Sequence, residues 1–299
     1  MLKCLKVVPK RADDNLAGLA AGRTVIQWLE TIGVVGLAIA TAFIANRVAR
    51  SPKYWFITYA FSTILLLMIW LSRNNSAIGL VPPVSWISGG RTKFALVAVV
   101  PILLLWPLFR RTGNRRIRFF GATFLALIIG LYAVWPFAAS ATNRRYLAGL
   151  PTRFDTNGIC IQSTDYTCGP AAAVTALRHI GLRAGEGQIA IASHSSAAIG
   201  TPPDMLCRGL RSLYAADKLQ CDLQYFSKLE DLPAGRPILA VIKYTFLEDH
   251  YVVILGMTPE HVLVADPNRG RVAYTRKTFL ERWRKLGIVL SRPGGVDGS

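Results

Sequence analysis

The amino-acid sequence predicts an α+β domain that follows an all-α transmembrane region of about four helices. Three observations lead to this fold class. Hydrophobic residues make up 52% of the chain, above the usual share for a soluble protein. The first half contains four apolar runs, whereas the second half combines shorter helical and strand patterns. The excess of basic residues lies between the apolar runs.

The net charge of +18 is distributed in a way that argues against nucleic-acid binding. Residues 1–150 hold 18 Lys and Arg against three acids, whereas residues 151–299 hold 17 against 14. Basic residues that flank apolar runs are the usual topology signals of membrane proteins. No base-reading motif accompanies the charge. We therefore expect membrane lipid as a partner and no nucleic acid.

The predicted membrane region covers residues 25–142 and follows a polar tail at residues 1–24. The tail lacks the apolar core and cleavage site of a removable signal peptide. A spanning helix needs ~20 apolar residues, so the third run, broken by Pro101 and Pro107, is short for a span. The first run must tolerate Gln27 and Glu30. The four runs cover about residues 25–45, 54–71, 94–109 and 119–139.

The loops between the runs predict the orientation of the chain. Residues 46–53 and 110–118 together carry eight basic residues in 17 positions, whereas residues 72–93 carry three in 22. Loops rich in Lys and Arg tend to face the cytoplasm. With four spans, both termini and the C-terminal half then lie outside the cytoplasm. If the third run does not span, the C-terminal half changes sides.

Residues 151–299 form one predicted domain of ordinary size. Helices come first and strands follow, which is typical of an α+β fold with an antiparallel sheet. The predicted helices cover about residues 168–180, 186–194, 203–215 and 276–286. The predicted strands cover about residues 219–226, 237–243, 250–257, 261–265, 271–275 and 288–291.

Cys168 is the candidate nucleophile of this domain. It lies in the stretch Gln-Ser-Thr-Asp-Tyr-Thr-Cys-Gly-Pro and is followed at once by an Ala-rich helical segment. The free N–H groups at a helix start stabilise a thiolate. Gln162, six residues upstream, can direct its amide N–H into the same space. Together with the backbone N–H of Cys168 it would form an oxyanion hole.

His250 is the candidate general base that this nucleophile requires. It opens a strongly apolar strand, whereas His179 lies eleven residues beyond Cys168 within the same predicted helix. His194 closes a helix before a polar segment, and His261 follows a turn. An imidazole at the start of a buried strand is either structural or catalytic.

Asp266 is the candidate residue that orients His250. The strands at 250–257 and 261–266 form a predicted hairpin centred on residue 258, which places position 266 directly opposite position 250. Opposed residues have Cβ atoms ~4.5–5.5 Å apart. Asp249 is a competing partner, but it belongs to the opposite face of the strand.

The order Gln…Cys-Gly…His…Asp-Pro resembles the C39 family of cysteine peptidases, whose domains precede many ABC exporters and cut leader peptides after a double glycine. The resemblance covers about residues 155–292. It rests on the spacing of Gln162 and Cys168, on the Cys168-Gly169 pair that opens a helix, and on Asp266 sixteen residues after His250. No ATP-binding G-x-x-x-x-G-K-[ST] motif follows, so a complete ABC exporter is not expected.

The resemblance implies a papain-like fold with Cys168 as nucleophile, His250 as base, Asp266 as orienting residue and Gln162 in the oxyanion hole. It implies hydrolysis of leader or secreted peptides without a metal or organic cofactor. It also suggests a multi-pass protein of a bacterial inner membrane that works beside a separate secretion or transport complex.

Other interpretations of the same residues stay open. A transglutaminase-like thiol acyltransferase would use the same triad, and a membrane-anchored peptide-binding module would keep the fold without turnover. Cys168 alone would more often be a buried core cysteine. Cys160, Cys207 and Cys221 lack metal-binding spacing, and two of them could form a disulfide outside the cytoplasm.

Overall fold

A computed structural model of the chain describes residues 10–51, 53–75, 77–78, 81–82, 84, 92–244 and 248–292. Half of the predicted middle loop at 72–93, the start of the polar tail at 1–9 and the segment 293–299 lie outside these ranges. The rest of the predicted tail is helical, because the first helix already begins at Lys10.

The described part of the N-terminal region consists of helices joined by short non-helical segments. Two of its segments, Trp28–Ala49 with 22 residues and Arg115–Ala139 with 25, are long and apolar enough to cross a membrane. Many of their large apolar side chains, such as Phe43 and Leu127, point outward. The helices are α1 (Lys10–Ala49), α2 (Phe56–Asn74), α3 (Thr92–Arg111), α4 (Arg115–Ile129), a π-helical turn (Gly130–Val134) and α5 (Trp135–Thr142).

The prediction of about four spans is corrected to two clear ones. The apolar part of α2, Phe56–Leu71, is shorter than a span requires. In α3, basic residues at both ends confine the uncharged stretch to residues 94–109. This helix is instead the most buried of the bundle, because its middle packs against α1, α2 and α4. Its buried residues include Ala98, Val99, Val100, Ile102 and Leu103.

The soluble domain has the predicted α+β architecture. Its six-stranded antiparallel sheet has the order β3-β8-β4-β5-β6-β7, and a small hairpin of β1 and β2 precedes it. The strands are β1 (Arg153–Phe154), β2 (Cys160–Ile161), β3 (Gln220–Tyr225), β4 (Ile238–Lys243), β5 (Asp249–Met257), β6 (His261–Asp266), β7 (Gly270–Thr275) and β8 (Trp283–Ser291).

Helices cover both faces of the sheet and create two apolar cores. On one face the apolar residues of three helices form a core with Tyr251 and Val253 of β5. On the other face Phe279 and Trp283 pack against Val252 and Val264. The helices of the domain are α6 (Arg144–Ala148), α7 (Cys168–His179), α8 (Glu186–Ala192), α9 (Pro203–Leu213) and α10 (Arg276–Arg282).

Strand β8 begins earlier than the sequence suggests and takes over the end of the predicted helix at 276–286. It pairs with β3 on one side and β4 on the other, so its backbone groups are satisfied along both edges. Trp283 is buried against Phe279, and this packing favours the strand.

The segment between the two regions is folded onto the soluble domain. Helix α6 packs against α8, and Leu147 is fully buried there. A Cβ at position 187 would collide with the carbonyl oxygen of Leu147, so Gly187 permits this close approach. The C-terminal domain therefore includes helix α6, which directly follows the N-terminal apolar helices.

Candidate active site

Cys168 is the first residue of α7, and its side chain is 7% exposed. The helix lies across the sheet against β5, and its Ala-rich first turns are buried. A Cβ on Gly169 would lie 3.1 Å from the Cβ of Thr201 and 3.3 Å from the Cδ2 of Tyr251. The absence of a side chain there allows the helix start to settle close to the sheet.

His250 and Asp266 form a buried hydrogen-bonded pair. The Nε2 atom of His250 lies 2.8 Å from Oδ1 of Asp266, and both residues are 3% exposed. The same carboxylate oxygen accepts the backbone N–H of Asn268 at 2.8 Å, which fixes its orientation. Cys168 is close enough to the imidazole to contribute to its raised pKa. Because Nε2 is bonded to Asp266, Nδ1 is the ring nitrogen left for another partner.

The electrostatics of this pair favour a protonated imidazole. Burial lowers the pKa of His250, but the hydrogen bonds to Asp266 and Cys168 outweigh it and raise the pKa to about 9. Burial would raise the pKa of Asp266, yet the hydrogen bond and charge of His250 hold it below the ordinary value. The two directions agree, because each partner stabilises the charged form of the other.

The predicted register of the β5–β6 hairpin was wrong by two residues. The ladder pairs Val253 with Ala265, whereas a turn centred on residue 258 would pair it with residue 263. The turn lies later, since the N–H of Thr258 donates to the carbonyl of His261, and a bulge near Leu255 adds one unpaired residue. A shift of two keeps side chains on the same face. His250 and Asp266 can therefore still meet, along a diagonal.

Asp249, the competing partner of His250, has another contact. Its Oδ1 atom accepts a 2.8 Å hydrogen bond from Nε of Arg284 on β8. The ring of Tyr244 covers His250 instead, with the two ring centroids 5.2 Å apart. His179 bonds through Nδ1 to the carbonyl oxygen of Thr175, one turn back in its own helix.

Gln162 is held at the edge of the site by two hydrogen bonds. Its backbone N–H donates to the carbonyl oxygen of Pro267 at 3.0 Å, and its side-chain Nε2 donates to the carbonyl oxygen of Thr164 at 2.9 Å. Its Oε1 atom is buried without a hydrogen-bond partner among the described residues. The amide is thus anchored at one N–H, and its second N–H is left for another acceptor.

A buried carboxylate supports the segment that carries Gln162. Glu186 is fully buried and accepts the backbone N–H of Ser163 at 2.7 Å and the Ser163 hydroxyl at 2.8 Å. The sequence analysis missed this contact, because 23 residues separate the partners and Glu186 resembles an ordinary acid in the first turn of a helix. Glu186 begins a helix whose other residues are mostly apolar, and an acid in such a helix is the one sequence signal that could have indicated this contact.

A chain of buried hydroxyl groups supports the loop before Cys168. The hydroxyl groups of Ser195 and Thr201 lie 2.7 Å apart, and Thr201 donates to the carbonyl oxygen of Tyr166 at 3.3 Å. The phenol of Tyr251 donates to the carbonyl oxygen of Thr201 at 2.8 Å. These bonds connect β5, the 195–201 loop and the residues just ahead of the helix start.

The remaining cysteines of the domain differ in their chemistry. Cys207 of α9 and Cys221 of β3 form a disulfide with Cα atoms 5.5 Å apart. Cys160 is a buried free thiol, and burial together with the charge of Glu186 raises its pKa to about 12. In the part of the chain that the structure describes, no group of three His, Cys, Asp or Glu side chains could hold a metal ion.

The helix start, the thiol and the His–Asp pair are the features of a cysteine-peptidase domain, and comparison with known families agrees. Residues 157–293 match the sequence profile described as the Peptidase C39 family, which confirms the resemblance drawn from Gln162, Cys168, His250 and Asp266. Residues 157–293 are therefore similar to C39 peptidase domains, and apolar helices precede them.

Two uncharacterized proteins from Methanothermobacter are related to this domain. The protein from Methanothermobacter thermautotrophicus is 27% identical over 135 residues, which is 45% of this chain and 89% of the relative. The protein from Methanothermobacter marburgensis is 27% identical over 131 residues, which is 44% of this chain and 86% of the relative.

Two solved structures are similar to the domain. One is the peptidase domain of Streptococcus ComA, a bi-functional ABC transporter involved in quorum sensing, with 21% identity, a TM-score of 0.38 and coverage of 44% of this chain and 96% of that one. The other is a double glycine motif protease from an AMS/PCAT transporter in complex with the leader peptide. It has 14% identity, a TM-score of 0.40 and coverage of 48% of this chain and 94% of that one.

Proposed function

We propose that the protein is a membrane-anchored cysteine peptidase that hydrolyses peptide bonds with a Cys168–His250–Asp266 triad. The observation that carries this proposal is the buried bond between Nε2 of His250 and Asp266, which leaves Nδ1 for the neighbouring Cys168. This arrangement supplies a nucleophile, a proton carrier and an orienting carboxylate in the order that acyl transfer requires.

In the first half of the reaction, the Cys168 sulfur attacks the carbonyl carbon of the scissile bond, and a C–S bond forms. His250 carries the proton that leaves the thiol and gives it to the departing amine nitrogen as the C–N bond breaks. In the second half, His250 takes a proton from water while the water oxygen attacks the thioester. The C–S bond then breaks, the acid product leaves and the thiol regains its proton.

The negative oxygen that develops in both halves requires donors. We propose the second side-chain N–H of Gln162 and the backbone N–H of Cys168 for this role. The first N–H groups of a helix have no intrahelical acceptor, so the Cys168 N–H is available for a ligand. The two hydrogen bonds that hold Gln162 support the proposal, because a donor that is already fixed loses little entropy when the oxyanion forms.

We propose that the N-terminal helices anchor the enzyme in a bacterial inner membrane as a multi-pass segment. The basic loops at 46–53 and 110–118 lie close together. Trp55 follows the first loop and Arg111 belongs to the second, and the guanidinium carbon of Arg111 is 4.2 Å from the Trp55 ring centroid. Both basic loops are thus at one end of the bundle, which favours the cytoplasmic side for that end. The Cys207–Cys221 disulfide supports a peptidase domain outside the cytoplasm, where disulfides persist.

The substrate that fits this location is a leader peptide or another secreted peptide that passes the membrane, delivered by a separate secretion or transport complex. A site that works on peptides needs no cofactor for hydrolysis, because the thiol, the imidazole and the oxyanion donors supply the chemistry.

The function is tested by adding an isotope-labelled primary alkylamine to the full chain in detergent together with a mixed peptide library. Mass spectrometry distinguishes the products. Hydrolysis gives fragments with free carboxylates, and this is the expected result. Fragments that carry the labelled amine would indicate a transferase instead, and an unchanged library would leave only a peptide-binding role.

A further inference from the structure

A cavity of about 550 Å³ opens between the C-terminal end of α3 and the N-terminal end of α4. It lies at the end of the helical bundle that also carries the other basic loop, as the stacking of Arg111 on Trp55 shows. Three arginines and three aromatic residues line it: Trp106, Phe109, Arg110, Arg115, Arg118 and Phe119.

The neighbouring helices supply little counter-charge for these three guanidinium groups. No Asp or Glu occurs between Glu30 and Asp155 in the sequence. Glu30 lies in α1, and the rise of 1.5 Å per residue puts it about 28 Å from the end of that helix at Ala49. Over that distance the attraction is screened by salt. The cavity is therefore suited to an anionic ligand.

The other walls of the cavity suit a ligand with both polar and apolar parts. Trp106 lines the cavity with its ring, and its indole N–H is buried without a hydrogen-bond partner among the described residues. Phe109 is fixed in the wall because its ring packs directly on Gly121, where a Cβ would lie only 2.8 Å away. Phe119 and Phe120 are exposed beside the opening and offer apolar surface.

We infer that this cavity binds the phosphate of an anionic lipid headgroup, with the acyl chains along the exposed phenylalanines. Guanidinium groups are donors that match phosphate oxygens. Basic pockets between membrane helices on the cytoplasmic side recognise such headgroups. The inference rests on the proposed membrane anchoring and adds a specific lipid to it.

The test measures lipid bound to the full chain in detergent by native mass spectrometry, with phosphatidylglycerol and phosphatidylcholine as probes. The wild-type chain is expected to retain phosphatidylglycerol in preference to phosphatidylcholine. Changing Arg110, Arg115 and Arg118 to Gln is expected to lower the affinity for phosphatidylglycerol about tenfold or more. Equal binding of both lipids, or no loss in this variant, would overturn the inference.

A matched control removes the same charge without touching the cavity. Arg47, Arg50 and Arg116 belong to the same basic loops but do not line the cavity, so changing them to Gln is expected to lower affinity by less than about threefold. An equal loss in both triple variants would mean general attraction to the loops and would overturn the inference. Circular dichroism and the elution volume show that each variant is folded.

Inorganic phosphate distinguishes the two sources of the anion. Displacement of phosphatidylglycerol only at high phosphate concentration supports a lipid site, because the acyl chains add affinity. Displacement of phosphatidylglycerol at low phosphate concentration would assign the cavity to a free anion and would overturn the inference that it binds a lipid. Membrane anchoring is checked separately by alkaline extraction of membranes. A chain that is extracted contradicts the proposed anchoring, whereas a retained chain without lipid preference contradicts only this inference.

Discussion

The backbone N–H of Gln162 donates a 3.0 Å hydrogen bond to the carbonyl oxygen of Pro267, the residue that follows Asp266. Gln162 lies six residues before Cys168, the first residue of α7, whereas Asp266 is the last residue of β6, much later in the chain. One backbone bond thus connects the segment of the proposed oxyanion donor to the carboxylate that holds His250. This hydrogen bond joins the segment before α7 to the end of β6 and so holds the two parts of the candidate site together.

The raised pKa of His250 predicts the alkaline limit of activity. In the proposed mechanism the imidazole gives a proton to the leaving amine, so kcat/KM should fall as the pH rises through about 9. Asp266→Asn keeps a hydrogen-bond acceptor but removes the charge. We expect this change to lower kcat about 10²-fold and to move the alkaline limit down by about one pH unit or more. A pH profile of peptide hydrolysis measures both effects.

The same pair predicts a pH-dependent stability. The pKa of His250 is above its ordinary value of 6.5, so its contribution to the free energy of unfolding is complete below about pH 6.5 and is lost as the pH rises through about 9. The pKa of Asp266 is lowered, so its contribution is lost as the pH falls through that lowered value. Denaturation of Asp266→Asn should show a flatter pH dependence, whereas Asp222→Asn, in an exposed pair with Arg211, should match wild type.

Removing the side chain of Gln162 tests the oxyanion hole. Gln162→Ala is expected to lower kcat by about 10²–10³-fold with little change in KM, because the donor acts on charge that exists only in the transition state. Steady-state kinetics on one cleaved peptide measure both constants. Gln188→Ala, at an exposed position of α8, is the control and should behave as wild type. Equal kinetics for the two variants would exclude Gln162 from this role.

The buried carboxylate of Glu186 is expected to hold Gln162 in position through Ser163. Glu186→Ala removes the acceptor of two Ser163 groups, so the free energy of unfolding should fall by about 1–3 kcal/mol. We also expect a lower kcat at nearly constant KM, and partial rescue by Glu186→Gln, which keeps one oxygen acceptor. Denaturation and kinetics measure these effects, with exposed Glu281→Ala as control. Loss of stability with unchanged kcat would show a purely structural role.

The disulfide between Cys207 and Cys221 connects α9 to the edge strand β3 across 14 residues of sequence. A disulfide that closes a loop of this size removes conformational entropy from the unfolded chain, which stabilises the folded chain by about 3 kcal/mol. Reduction, or replacement of both cysteines by Ala, should therefore lower the free energy of unfolding by about that amount, measured by pulse proteolysis of the full chain. Cys160→Ala should still respond to reductant. A wild-type chain that is insensitive to reductant would contradict the disulfide.

The sequence predicted the contact between His250 and Asp266 better than its surroundings. The two-residue error in the hairpin register did not separate this pair, because side chains alternate with a period of two. The catalytic roles of Cys168, His250, Asp266 and Gln162 stay predictions. The Glu186–Ser163 contact could not be predicted, since it depends on how α8 packs beside the 162–164 segment.

The number of spans shows the limit of reasoning from composition. The apolar run at 94–109 was counted as a marginal span, but α3 uses its small and branched residues to pack inside the bundle. Apolar side chains face lipid or protein equally well, so only the packing distinguishes the two. The prediction that the last helix extends to residue 286 was wrong for a similar reason. Pairing with β3 and β4 makes residues 283–286 a strand.

The most direct test of the account is peptide hydrolysis by the full chain under mildly oxidising conditions that keep the disulfide. Cleavage of a peptide library is followed by mass spectrometry for wild type, Cys168→Ala, His250→Ala and, as a matched control, Cys160→Ala. The account predicts products with wild type and Cys160→Ala and none with the other two variants. Products that persist in Cys168→Ala or His250→Ala would contradict the proposed mechanism.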